Sequence, residues 1–508
     1  MNAPPASISE PPTSLLGSLA HLGPGIILAS SIVGSGELIA TTTLGAEAGF
    51  SLLWLVVIGC IIKVAAQVEI GRHTLAWGRT PLEAFDRVPG PRWSGRGWLF
   101  WGWAIMTVLI LVQQGGIVAG VAQTLAGGFP LTVAGRAWNA LHDEQASLRV
   151  AAATAAQAGD APGAAASRER LAAMITAEEG LVPPSDEAAW AVVVGLVTAG
   201  LLVVGRYRLI ERFSLVLVAA FTLVTLGALV MLQSDPAWAL SPRQVVAGLV
   251  PTIPPAVAGR SPLATGLAAF GIIGVGASEL MIYPSWCLEK GYGRAVGPRD
   301  PSPAWAARAR GWLRVMQLDA WTSMAVYTLV TVCFYLLGAA TLGRLGLRPA
   351  GSEMVRTLGA MYAPVFGPWA RNLFLVGAFT ALYSTLFVAA AGNARMVADG
   401  LVLGGWLSAD VESRATWQRR IAAWWCLAAV GLALAFREPV GMVLASGVAQ
   451  AVMLAGLAVA VLWFRYRDLD PRLAPSRAWD ALLWVSVAGF FFVGLWTAGR
   501  SLAGLLNR

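Results

Sequence analysis

The strongest constraint on this chain is a succession of apolar segments, each about 20 residues long, the length of helix that crosses roughly 30 Å of bilayer hydrocarbon. Short arginine-rich stretches separate them. Hydrocarbon offers backbone N–H and C=O groups no partners, so such segments must satisfy their own hydrogen bonds as helices. Composition decides against a large water-soluble core: 13% of the residues are charged and 57% hydrophobic, too little charge to coat a folded chain of 508 residues. The net charge of +8 does not point to nucleic acid, because the basic residues lie between apolar segments rather than on one face. An all-α membrane protein is the class that remains.

Eleven spans are predicted, at about 22–47, 50–72, 98–126, 188–205, 213–233, 263–286, 315–341, 369–392, 421–436, 441–464 and 478–499. Basic residues gather in alternate connections: Arg79, Arg87 and Arg92 after span two, Arg206 and Arg208 after span four, Lys290 and Arg294 after span six, Arg414 and Arg419 after span eight, and Arg467 and Arg472 after span ten. Positive charge marks the cytoplasmic side, which predicts a multi-pass cell-membrane protein with its N-terminus cytoplasmic and its C-terminus extracytoplasmic. Residues 1–21 form the N-terminal tail, and Met1 to Ser14 read as disordered. Residues 22–233 and 263–464 make two halves, with 478–499 as an additional helix. An extracellular insert occupies about 131–187; its Ala-rich part, Asn139 to Gly180, suits two short helices separated by Asp160–Gly163, a solvated hairpin without chemistry of its own. Cys60, Cys287, Cys333 and Cys426 lack metal-ligand spacing and read as small buried apolar residues. Trp98, Trp101, Trp103, Trp312, Trp424 and Trp425 suit an interfacial belt.

Ionisable residues deep in a span are costly and need an account. Glu37 follows Gly34-Ser35-Gly36 in span one, and Glu279 follows Gly271, Gly274, Gly276 and Ser278 in span six. These spans correspond to one another in two five-helix halves, and glycine-interrupted segments at matching positions point to the binding site of an inverted-repeat transporter. At a helix break, carbonyls lose their partners and turn toward the cavity, where they and a carboxylate make a cation site. The candidate metal ligands are therefore Glu37, Glu279, Gly34 and Ser278. The competing reading is that the glycines allow close helix packing and each glutamate pairs with a polar neighbour.

The run from Gly36-Glu37-Leu38-Ile39-Ala40 through Gly45-Ala46-Glu47-Ala48-Gly49-Phe50, followed by Leu52-Leu53-Trp54, resembles the first helix of the Nramp divalent-metal transporters. The family's Asp-Pro-Gly-Asn motif falls on Gly34-Ser35-Gly36-Glu37, and Ser384-Thr385 and Ala391-Gly392-Asn393 in span eight are similar too. The resemblance implies a LeuT-type fold, a 5+5 inverted repeat plus one extra helix, working by alternating access. It also carries departures. The family's metal-binding Asp falls on Gly34, its Asn on Glu37, and its Met-Pro-His on Ser278-Glu279-Leu280. A thioether favours soft metals, whereas carboxylates and hydroxyls favour hard cations, so the substrate expected is Mg²⁺ first, with Mn²⁺ the intermediate case. Mg²⁺ sheds water reluctantly, which calls for a roomy site. Tyr283-Pro284 and Leu288-Glu289-Lys290-Gly291-Tyr292 are similar to the Nramp-related magnesium-transporter branch.

The family's proton route uses carboxylates on helix three and a histidine on helix six. Here span three offers Gln113 and Gln114, which do not titrate, and none of His21, His73 and His142 falls in span six. Uptake uncoupled from protons is expected. Lys63, one of two lysines, lies inside span two. It is expected to form a structural ion pair with Glu37, Glu47 or Asp319, with a role in gating as the alternative. Glu47 suits an outer gate, while Asp319 and Glu69 read as snorkelling interface residues. The predicted function is secondary transport of a small inorganic cation across the lipid bilayer, with no cofactor besides the transported ion and no nucleic-acid partner. The oligomeric state is left open, a monomer included. The alternatives are a LeuT-fold transporter of a small organic solute and a proton-coupled transition-metal importer. An intramembrane enzyme would need a nucleophile–base pair or metal triad, and no span supplies the histidine.

Overall fold

The computed structural model describes residues 8–178, 180–204, 207–234, 238–256, 261–351, 354–359, 370–408 and 410–506. Helices dominate it; the strand pairing among the described residues is a hairpin joining Arg92–Trp93 to Arg96–Gly97. Nine described helices are long and apolar enough to cross a bilayer, and they coincide with nine of the eleven spans. The other two differ for separate reasons. Span five lies within the helix Tyr207–Leu232, of which Thr222–Leu232 is a shorter apolar stretch. Span six is divided into Pro262–Phe270 and Ala277–Lys290.

Several helices run past the limits of their apolar segments. Span seven occupies Pro303–Leu337, starting well before residue 315, because Ser302 caps it by accepting from Trp305 N at 3.1 Å and Pro303 is set for a first turn. Span eight runs Ala370–Leu403. A helix does not stop where hydrocarbon stops; it stops where capping and packing end it, and hydropathy reports only the first.

The insert is a hairpin of Val133–Gln157 and Ala161–Glu178. The second helix restarts at Ala161, inside the predicted Asp160–Gly163 turn, because Asp160 accepts from Gly163 N at 3.0 Å. Asp186, at the head of the helix Asp186–Val204, clamps the root of the hairpin by accepting from Leu131 N at 2.6 Å and Thr132 Oγ1 at 2.7 Å. Arg356 docks the insert on the bundle by donating to Asn139 Oδ1 at 2.6 Å.

Three expectations need correction. The tail from Ile8 to Ser14 follows a docked path: Ser9 donates to Ala295 O and accepts from Trp312 Nε1 at 3.0 Å, while residues 1–7 lie outside the described set. Trp103, Trp312 and Trp425 are buried rather than interfacial, although Trp424 is 63% exposed. Glu69 is also buried, accepting from Arg72 Nε at 2.9 Å and Trp479 Nε1 at 2.6 Å, so it ties span two to span eleven instead of snorkelling.

Asp470, between spans ten and eleven, accepts from Arg472 Nη2 at 2.9 Å and lies 2.8 Å from Arg299, joining two connecting loops. The hydrogen bonds from Arg472, with Arg299 beside them, hold its carboxyl well below the usual carboxylate range. A depressed folded value stabilises above the unfolded value of about 3.9 and ceases to as pH falls through the folded one. Asp470→Asn should therefore melt below wild type near neutral pH, and the gap should narrow as pH drops below about 4; thermal melts of purified protein across pH test this.

Candidate functional site

Span one runs as helix over Pro24–Ile32, unwinds at Val33 and Gly34, continues as a wide π-type turn over Ser35–Thr41 and resumes over Thr42–Ala48. Gly34 is needed for proximity: a Cβ there would lie 1.7 Å from Thr385 Oγ1 of span eight. Span six unwinds over Gly271–Gly276, where Gly274 takes a φ of +63°, a left-handed conformation that glycine adopts without strain. The two breaks meet. Gly274 N donates to Glu37 Oε1 at 3.3 Å, and a Cβ on Gly36 would lie 3.1 Å from the carbonyl oxygen of Ile272.

Glu37 is fully buried. Its Oε1 also accepts from Thr331 Oγ1 of span seven at 3.0 Å, whereas Oε2 has no protein partner. Glu279 lies on the other side of the break, its Oε2 accepting from Ser278 Oγ at 2.7 Å, with Ser31 as a second neighbouring hydroxyl. The carboxylates thus belong to one pair of unwound segments but have different immediate partners. Among the described residues, no three His, Cys, Asp or Glu side chains converge to hold a metal. Any ion here relies on carbonyls, hydroxyls and amides besides the two acids.

A chain of polar contacts supplies those groups. Gln113 Nε2 donates to Ser35 Oγ at 3.3 Å, Gln450 Nε2 donates to Gln113 Oε1 at 3.1 Å, and Gln450 Oε1 accepts from Ser278 N at 3.1 Å. Spans one, three, ten and six are linked through it. Gln450 was not singled out in the sequence; the signal was an amide four residues after Ser446 in an otherwise apolar span, and Gln450 Nε2 lies 3.3 Å from Ser446 Oγ. Thr331 was also missed, because a threonine in a span usually bonds its own helix, as this one does to Tyr327 O at 2.7 Å. Ser384 and Thr385 of span eight approach Ser30 O, a carbonyl freed by the break in span one, at 3.3 and 3.4 Å.

The remaining candidates divide. Gly34 serves packing, its own carbonyl accepting from Leu38 N at 2.7 Å. Gln114 is buried apart from the network and donates to Leu386 O at 2.8 Å. Glu47 Oε2 accepts from Thr265 Oγ1 at 2.8 Å, tying the far end of span one to the first half of span six beside an open cavity of about 540 Å³. Asp319 is not at an interface but buried, capping the first half of span one: it accepts from Gly23 N at 2.9 Å, Gly25 N at 2.6 Å and Tyr283 OH at 3.0 Å. Lys63 makes no ion pair with an acid among the described residues; its Nζ donates to Phe270 O and, at 2.7 Å, to Ile273 O. Cys60, one turn before it, is buried as expected and packs against the break, where a Cβ on Gly274 would lie 3.0 Å from its sulfur. His73 falls within the helix Leu53–Trp77, past the predicted end of span two, where it meets Asp468 at 2.8 Å.

Two discontinuous helices meeting inside an apolar bundle define a membrane transporter of the LeuT-type fold. Solved structures agree on the fold: a variant of the manganese transporter of Eremococcus coleocola superposes with a TM-score of 0.63 at 16% identity, covering 98% of this chain and 91% of that one. MhsT in complex with L-phenylalanine gives 0.52 at 16% identity, covering 97% and 99%. The family model for natural resistance-associated macrophage protein-like sequences matches residues 132–498, so the chain belongs to the Nramp family, whose members are divalent-metal transporters. An uncharacterized protein of Pasteurella multocida is 23% identical over 501 residues, 94% of this chain and 91% of its own length.

Gln450→Leu should unlink Ser278 from Gln113 and take a partner from Ser278 N, Gln113 Oε1 and Ser446 Oγ, lowering the melting temperature by the equivalent of about 1–3 kcal/mol. A melting temperature equal to wild type would remove the network from the account of the site.

Proposed function

We propose that this protein carries hard divalent cations, Mg²⁺ first and Mn²⁺ as the intermediate case, by alternating access and without obligatory proton coupling. The observation that carries the proposal is Glu37: a fully buried carboxylate at the meeting of the two breaks, with Oε2 lacking any donor. Such an oxygen is strongly destabilising unless a cation or proton meets it. The donors on the two sides of the breaks are oxygens: Thr331 beside Glu37, and Ser31, Ser278, Ser35 and the amides of Gln113 and Gln450 in the contacts that run from Glu279. Oxygen donors suit Mg²⁺ and Mn²⁺ over softer ions. Gln113 and Gln114 occupy span three without an acid to relay protons, which supports uncoupled movement down the ion's own gradient. In this reading the insert faces outside and the docked tail faces the cytoplasm, in keeping with the basic loops.

A second reading, a transition-metal importer, has one observation in its favour: the thiol of Cys60 beside Gly274. A small organic anion fits less well, because the amine that would greet it, Lys63, is engaged by helix carbonyls.

Reconstituted protein in liposomes, assayed with Mg²⁺, Mn²⁺, Ca²⁺ and Cd²⁺ and an internal pH dye, should take up Mg²⁺ without acidification. Glu37→Gln and Glu279→Gln should each cut that uptake about tenfold or more while the protein stays folded, since each removes a ligand charge. Uptake at wild-type rate in both variants would defeat the site. Preference for Cd²⁺, abolished by Cys60→Ser, would favour the second reading.

A further inference from the structure

Lys63 stands where the first half of span six ends. A helix that stops inside a bilayer leaves its last carbonyls unpaired, and those carbonyls carry the negative end of the helix dipole. Here Pro262–Phe270 stops at Gly271, and the ammonium of Lys63 donates to the carbonyls of Phe270 and Ile273 while lying 4.4 Å from the centre of the Phe270 ring. Two carbonyl oxygens and an aromatic face form a cup suited to a monovalent cation. Lys63 is completely buried from bulk solvent. The cup lies in the break that also holds Gly274, the donor to Glu37.

We infer that Lys63 is a tethered cation filling an ion site built by the broken end of span six, so that the protein supplies from its own side chain the charge a free monovalent ion would otherwise bring. The inference deepens the proposed transport function and rests on it in one respect: the charge fills the break whose Gly274 N–H meets Glu37, an acid proposed for the divalent ion. With the freed carbonyls met by a side chain, the break needs no co-transported monovalent ion to satisfy them. Sequence alone placed Lys63 against an acid. Backbone carbonyls were the partners available at that depth.

Removing the side chain should expose the cup. Lys63→Ala, expressed and purified in parallel in methylammonium, K⁺, Rb⁺ and N-methylglucamine chlorides, is the test, read by monodisperse yield and melting temperature. Methylammonium and at least one of K⁺ and Rb⁺ should raise the melting temperature by about 2–4 °C over N-methylglucamine, which is too large to enter, whereas wild type should show no such difference. K⁺ and Rb⁺ have no N–H, so their effect separates charge from hydrogen bonding. Equal behaviour of the variant in all four salts, including equal failure to fold, overturns the inference. Stabilisation by methylammonium alone also overturns it, because it reduces Lys63 to a hydrogen-bond donor. No metal flux enters either readout, so this result stands or falls separately from the uptake of Mg²⁺ and its dependence on Glu37 and Glu279.

Discussion

Backbone groups exposed by a break in a membrane helix must find partners within the protein, and that requirement organises this molecule. Lipid supplies none, and each unmet group would cost several kcal/mol. Span one breaks at Val33 and Gly34, and Ser384 and Thr385 of span eight come to the freed carbonyl of Ser30. Span six breaks at Gly271, and Lys63 comes from span two to the carbonyls of Phe270 and Ile273. Between the breaks, a side chain of one satisfies the backbone of the other, Glu37 accepting from Gly274 N.

The same economy of partners ties the breaks to rigid neighbours. Asp319 of span seven caps the first half of span one at Gly23 and Gly25, and Tyr283 of span six bonds the same carboxylate. At the far end, Glu47 bonds Thr265 beside an open cavity, joining the second half of span one to the first half of span six.

Two glutamates in matching breaks do not act as twins. Glu37 is walled in by spans six and seven with one oxygen unmet, while Glu279 is served by hydroxyls on its own side of the break and stands in line with Ser278, Gln450, Gln113 and Ser35. The middle of that line is a pair of amides, Gln450 and Gln113. Amides donate and accept at once, so they hold four spans together without changing charge.

Much of the architecture was already determined by the sequence. Apolar length fixed the helices, because hydrocarbon thickness and backbone hydrogen bonding leave no other solution, and glycines flanking a buried acid marked both breaks, because only an interrupted helix needs such residues at that depth. The helix ends were not readable, since Ser302 and Asp160 set them by capping, outside the reach of hydropathy. Nor were the partners of the charged residues. Lys63 read as the partner of Glu37, Glu47 or Asp319, yet it turned to the carbonyls left by the break in span six, and Asp319 turned to the N–H groups at the start of span one, because those unmet backbone groups lay nearer than any opposite charge. Which groups a break leaves bare, and which side chain stands within 3 Å of them, depends on how distant segments pack, and only the tertiary structure decides that.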